Sequence, residues 1–271
     1  MPIGRPRWGS TRVAFAAMAL LEVRDVGLRF GGVVALAGLT FDVEVGDVCA
    51  LIGPNGAGKT TLFNVVSRLY EPSSGTVRFD GRDLLALAPH RIVDAGIART
   101  FQNLALVPGL TVLENVLIGA HARTRGGFWA AALGLPLRAD EAALRSEGLE
   151  LLERLGLAQL ADRPCAGMPY GTLKRIEIAR GLASHPKLLM LDEPASGLTH
   201  AEVDELGSTI RSLCDELELT VLLVEHHMGM VMSVSDRIVV MELGEKLAEG
   251  TPDEIQSNQA VIAAYLGGGP T

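Results

Sequence analysis

"VCALIGPNGAGKTT", residues 48–61, decides how the chain folds around its chemistry. Its first part, "VCALIG" (48–53), is a short continuous apolar run, as expected for a strand covered on both faces. The rest fits GxxxxGK(S/T), here Gly53, Pro54, Asn55, Gly56, Ala57, Gly58, Lys59 and Thr60, with Thr61 following. Gly53, Gly56 and Gly58 allow a tight turn and a close approach of backbone to phosphate, with no Cβ in the way. A helix-like stretch runs on to about Tyr70, so its N-terminus and the loop amides would face an anion. Lys59 would bridge the outer phosphates of a nucleoside triphosphate as a point charge, and Thr60 would place its hydroxyl on Mg²⁺. The plain alternative is a glycine-rich turn without a ligand. The strand–loop–helix setting argues against it.

Outward from this loop, "LLEVRDVGLRFGGVVALAGLTFDVEVGD" alternates apolar and polar residues around a Gly-Gly break and reads as antiparallel strands. "SGTVRFDGRDL" reads as a further hairpin. From about Pro89 to Arg180 the pattern turns Ala/Leu-rich with helical spacing, as in "ADEAALRSEGLELLERLGL", and predicts an all-helical insertion. The basic, aromatic-tinged segment 121–138 inside it has no clear form. Strand signals return at "KLLMLDE" (187–193), "TVLLVEHH" (220–227) and "RIVVMELGEKLAEG" (237–250), the last with a turn near Gly244. Thr251, Pro252 and Glu254 then fit the N-cap, first helical residue and capping-box partner of a helix.

"LLMLDEP" (188–194) is the second carrier of chemistry. An apolar strand ends there in two carboxylates. Asp192 would hold Mg²⁺ through water, and Glu193 would polarise the attacking water as general base. A solvated acidic pair after a strand is the plain alternative, and the phosphate loop upstream disfavours it.

Bulk properties narrow the class. The chain has 271 residues and a net charge of −8, which argues against non-specific nucleic-acid binding. Cys49, Cys165 and Cys214 are far apart and suggest neither a zinc site nor a disulfide framework, so a reducing cytosol is the simplest setting. No apolar run reaches the ~18–20 residues of a membrane span. Arg5, Arg7 and Arg12 ahead of "VAFAAMALL" look a little like a signal peptide, yet "MALLEVRDV" from Met18 reads as a natural start into a strand. Residues 1–17 would then be a disordered extension or the product of a misplaced start codon, with the folded domain spanning 18–271.

The order "GPNGAGKTT", "RTFQN", "MPYGTLKRIEIAR", "LMLDEPASGL" and "LLVEHH" resembles the ATP-binding subunits of ABC transporters, from about Met18 to the end. "RFGGVVAL", "RTFQN", the YG signature followed by "EIAR", "EHHM" and the closing "AAYLGG" are similar to the branched-chain amino-acid uptake branch. The resemblance implies an α/β fold: a P-loop NTPase (RecA-like) core with an antiparallel β subdomain, over 18–88 and 181–271, and a helical subdomain over 89–180. It implies ATP and Mg²⁺ as ligands. Phe30 would stack on adenine, with a core aromatic as the alternative. Gln102 would reach Mg²⁺ and the attacking water, and His226 would hydrogen-bond the γ-phosphate. His227 is read as a bystander.

In this family the signature segment of one chain closes over the ATP held by a second chain. The usual form is LSGGQ. Here Met168, Pro169, Tyr170, Gly171 and Thr172 stand in its place. Proline offers neither hydroxyl nor N–H, so a serine-type contact is lost. Gly171 would still allow close approach, a helix from about Thr172 would still aim its N-terminus at the anion, and Thr172 could supply a hydroxyl. Thr199 stands where the family usually has Asp, which bears on cross-talk between the sites. The resemblance further implies a second ATPase chain, two transmembrane permease subunits, an extracytoplasmic substrate-binding protein, and a peripheral position on the cytoplasmic face of the plasma membrane. It leaves urea or amide uptake open as the cargo, with lipopolysaccharide export a related use. A soluble ABC protein acting on DNA or ribosomes is disfavoured by the single cassette and acidic balance. A binding-only module is disfavoured because Glu193 and His226 are both present.

Overall fold

The computed structural model describes residues 19–100, 104–121 and 138–266. The extension expected over 1–17, Gln102, and residues 122–137 of the basic segment lie outside them. The alternating pattern forms β1 (Ala19–Phe30) and β2 (Val33–Glu44), antiparallel about the Gly31–Gly32 turn. The apolar run forms β3 (Val48–Ile52), buried at every position, and leads through the glycine loop into α1 (Lys59–Val66). The helix stops at Val66, short of Tyr70, and Arg68 beyond it takes a positive φ. β4 (Ser74–Phe79) and β5 (Arg82–Asp83) make the expected hairpin. Its turn is Asp80–Gly81, both at positive φ, as in a type I′ turn.

After α2 (Ile92–Ala95) comes β6 (Ile97–Arg99), which pairs in parallel with β7 (Leu188–Asp192). The stretch 89–180 is therefore not helical throughout, because its early part supplies an edge strand of the core sheet. Three residues are too few to show a period of two, and the partner strand lies far along the chain. Helices do dominate from Thr111 on: α3 (Val112–Ala120), α4 (Arg138–Arg154) and α5 (Tyr170–Leu182). The chain continues through α6 (His200–Leu217), β8 (Thr220–Val224), α7 (Met228–Val234), β9 (Arg237–Glu242) and β10 (Glu245–Gly250). It closes with α8 (Pro252–Ser257) and α9 (Gln259–Leu266).

Two sheets result. One is antiparallel, in the order β2-β1-β4-β5; the other runs β10-β9-β3-β8-β7-β6 and is parallel except where β10 meets β9. Alternation inside the core strands divides the packing. Leu188, Met190, Leu222 and Val224 join a cluster with β1, β2 and α1. Leu189, Leu191, Val221 and Leu223 join one with α3, α5 and α6. Burying each such side chain stabilises the fold by about 1.5–3 kcal/mol. That explains why these strands read as unbroken apolar runs, and it makes the sheet a rigid base for the loops at its carboxyl edge.

Candidate nucleotide-binding and catalytic site

The glycine loop leaves β3 at that edge. Gly53 has φ +152°, and a Cβ there would run into Met241 O of β9. Gly58 has φ +101°, and a Cβ there would stand 2.6 Å from Ala35 O of β2. Gly244, in the β9–β10 turn, donates from N to Ala57 O at 3.1 Å and accepts from Ala37 N at 2.9 Å. Two strands and a hairpin tip thus wall the loop, and only glycine fits where they press on it. Gly58 is the N-cap of α1 without any side-chain acceptor, so the first amides of the helix are left for another partner. Asn55, Gly56 and Thr60 are exposed, while Pro54 and Thr61 are half-buried. Lys59 is 6% exposed, and its Nζ donates to Gly53 O at 2.6 Å and Pro54 O at 3.0 Å. Burial lowers its pKa, and the charges of Glu193 and Asp192 oppose that shift.

Asp192 ends β7 and Glu193 follows it directly. Asp192 is buried, and its Oδ2 accepts from Arg99 Nη2 at 2.8 Å. Arg99 also donates to Asn64 Oδ1 at 2.8 Å and Ser67 Oγ at 3.2 Å, with its guanidinium 5.3 Å from the Phe63 ring centre. It therefore ties α1 to β7. Glu193 takes φ +49°, its N–H bonds Val224 O at 2.9 Å, and its Oε1 lies 2.9 Å from His226 Nε2. The structure so brings together Lys59, Asp192, Glu193 and His226. Gln102 lies outside the described residues. Phe30 is 46% exposed at the end of β1, so it is not a core aromatic, and it meets Tyr70 edge-on at 5.2 Å.

The signature segment starts α5, with Pro169 as N-cap and no side-chain cap. The helix begins at Tyr170, two residues earlier than expected, and leaves the Tyr170, Gly171 and Thr172 amides at its open end. Gly171 itself is buried: a Cβ on it would sit 3.0 Å from Glu202 Oε1. Its smallness is used against the chain's own α6. The exposed Tyr170 ring lies over Gly197, whose Cβ would meet it at 3.2 Å. Thr172 is half-buried. Thr199 caps α6 in a capping box with Glu202.

Three residues at the site escaped the sequence reading: Arg99, Glu225 and Lys174. Lys174 is buried in α5, with Nζ 5.4 Å from the Tyr170 ring centre and 3.4 Å from Glu193 O. Each is a charged residue inside a longer motif, and only burial and long-range pairing set it apart.

A family model described as "ABC transporter" matches residues 36–196, more than half of the chain. The chain belongs to the ABC transporter family. As an ABC cassette it binds ATP and hydrolyses it. A second model, "Branched-chain amino acid ATP-binding cassette transporter", matches residues 245–270 of this cassette. The high-affinity branched-chain amino acid transport ATP-binding protein BraF of Pseudomonas aeruginosa is 43% identical over 92% of this chain and 98% of its own. The ADP conformation of an ATP-binding cassette of an ABC transporter superposes with a TM-score of 0.80 at 30% identity, over 92% of this chain and 99% of that one. A dimeric ATP-binding cassette in a post-hydrolysis state, bound to ADP and Pi, gives 0.72 at 25% identity, over 86% and 98%. Among the described residues no helix of the cassette is long and apolar enough to cross a membrane.

Proposed function

We propose that this cassette drives an importer of branched-chain amino acids. It would sit on the cytoplasmic face of the plasma membrane beneath two permease subunits, paired with a second ATPase chain and served by an extracytoplasmic substrate-binding protein. The observation that carries the chemistry is the Glu193–His226 pair, 2.9 Å apart beside the loop that holds Lys59. The loop amides and the open end of α1 bind the phosphates. Lys59 exchanges its bonds to the Gly53 and Pro54 carbonyls for the outer phosphates, and Phe30 stacks on the base. Glu193 takes a proton from the attacking water while His226 holds the Glu193 carboxylate and the γ-phosphate in register.

The donor set fits Mg²⁺. Thr60 and Asp192 offer a hydroxyl and a carboxylate, and Mg²⁺ takes one or two hard oxygen ligands together with substrate phosphates. Thr60, Asp192 through water, and Gln102 would hold the ion, which would supply charge neutralisation on the phosphate oxygens. The amides at the start of α5 would close over the partner's ATP, so nucleotide bridges two chains and its cleavage lets them part. The helical part between β6 and β7 would carry that motion to the permease. The likeness to BraF and the match at residues 245–270 support the cargo.

Copurification with its encoded neighbours and reconstitution in liposomes tests this. Leucine, isoleucine and valine, with the binding protein, are expected to stimulate phosphate release. Stimulation by urea alone would overturn the cargo.

A further inference from the structure

Glu225 is a carboxylate 1% exposed, one residue beyond β8, and the chemistry above does not use it. Both of its oxygens are committed. Oε1 accepts from Ala195 N at 2.7 Å, and Oε2 accepts from His226 N at 2.9 Å and His227 N at 3.2 Å. The first amide belongs to the loop that follows Glu193, and the other two to the loop that presents His226. We propose that Glu225 is a positioning residue that clamps these two loops together and so fixes the catalytic glutamate against the switch histidine. The inference rests on the reading of Glu193 and His226 as the hydrolytic pair.

The physical reason is acceptor count. Burying a side-chain charge is tolerated only where it is fully hydrogen-bonded, and three N–H donors converge here. Charge-assisted bonds of this kind are roughly twice as strong as neutral ones. Only a carboxylate can accept on both oxygens at once. An amide in its place turns N–H₂ toward a backbone N–H, donor against donor. The need is evident in the backbone. Glu193 sits at φ +49°, a conformation that is unfavourable for a residue with a side chain and must be held by its surroundings. Two bonds do this, from the end of β8 and the residue after it: Glu193 N to Val224 O at 2.9 Å, and Ala195 N to Glu225 Oε1. The same side chain anchors the amide of His226, so one group sets both ends of the 2.9 Å Glu193–His226 contact. A misplacement of about 1 Å between reacting groups can cost about 10²-fold in rate.

Steady-state ATPase assays on the assembled complex test the clamp with Glu225→Gln and Glu225→Asp. The first keeps the reach and loses the second acceptor; the second keeps both acceptors and is a methylene too short to span the loops. Each is expected to lower kcat by about 10-fold to 10²-fold with KM for ATP within about twofold of the parent. In a His226→Ala background the Glu225→Gln cost should largely vanish. Parent-like kcat in either variant overturns the proposal, as does a loss of kcat matched by loss of ATP binding. Imidazole nitrogen shifts of His226, followed by NMR on the full chain, give a readout that needs no turnover. They should move in Glu225→Gln, and unmoved shifts sink the clamp. A parent complex that releases no phosphate instead sinks the functional reading, and the NMR result still decides the clamp.

Discussion

Helices in this molecule begin in two ways. α3, α6 and α8 start with a threonine whose hydroxyl accepts from the amide three residues on, while a glutamate reaches back to the threonine N–H: Thr111 with Glu114, Thr199 with Glu202, Thr251 with Glu254. α1 and α5 start on Gly58 and Pro169, with no side-chain cap, as do α2 on Arg91 and α7 on His227. Every helix start has amides without intrahelical partners, and a carboxylate near them is favoured by the helix dipole. Where the chain brings its own carboxylate the end is closed. Where it brings glycine or proline, no side chain of its own closes the end. The open ends of α1 and α5 differ in turn. α1 adds the buried ammonium of Lys59, whereas the cation behind α5, Lys174, is turned to Tyr170 and the Glu193 carbonyl.

That difference predicts unequal sites, and breaking them one at a time is the largest test. ATP at α1 would meet the partner's signature; ATP on the partner would meet Pro169 and Thr172. Glu193→Gln is therefore expected to remove most of the complex's turnover, by about 10²-fold or more for a general base, and the equivalent substitution in the partner to cost less. The measurement is phosphate release from each half-mutant complex. Equal losses would refute the inequality.

A smaller effect is expected from closing the gap at α5. Pro169→Ser supplies a hydroxyl at its N-cap, and a hydrogen bond from it to a charged group is worth about 1.5–3 kcal/mol, or roughly 10-fold or more. If that hydroxyl reaches the partner's γ-phosphate, turnover in the Glu193→Gln background, where only the partner's site works, should rise by about that factor. Unchanged turnover would mean that the Tyr170, Gly171 and Thr172 amides already suffice.

Legibility in the sequence followed the same division. Elements with a period or a required glycine could be read: the β1–β2 alternation, the buried run of β3, the loop at 53–58, the Asp80–Gly81 turn and the Thr251 box. β6 could not, because a three-residue strand has no period and its place is set by pairing with β7. At the site, Lys59, Asp192, Glu193 and His226 could be named because each ends a strand or a loop of recognisable pattern. Arg99 and Glu225 could not. A single charge beside "TFQN" or inside "VEHH" looks like surface until burial shows that its partners come from other loops. Gly171 was legible as a glycine but not in its use, since its neighbour Glu202 is supplied by another helix.

The closed ends give the smallest effect and the cleanest control. The hydrogen bonds from Thr251 depress the Glu254 pKa below its usual 4.5. A carboxylate whose folded pKa is depressed contributes stability above its unfolded value and loses it as pH falls through the folded value. Thr251→Ala removes the cap, at about 0.5–2 kcal/mol for a threonine N-cap. It also removes the smaller of the two causes of the Glu254 shift, the hydroxyl, and leaves the larger, the residue-251 backbone N–H. Thermal unfolding at neutral pH should therefore show the variant slightly below the parent. The gap should narrow as pH drops below 4.5 and Glu254 protonates in both. ATP hydrolysis should be untouched, because α8 lies outside the loops that carry Lys59, Glu193 and His226. A gap that stays constant into acid would show that the Thr251 hydroxyl acts on this helix independently of the Glu254 carboxylate. The contrast between ends sealed by the chain's own carboxylate and ends left for phosphate would then lose one of its three supports.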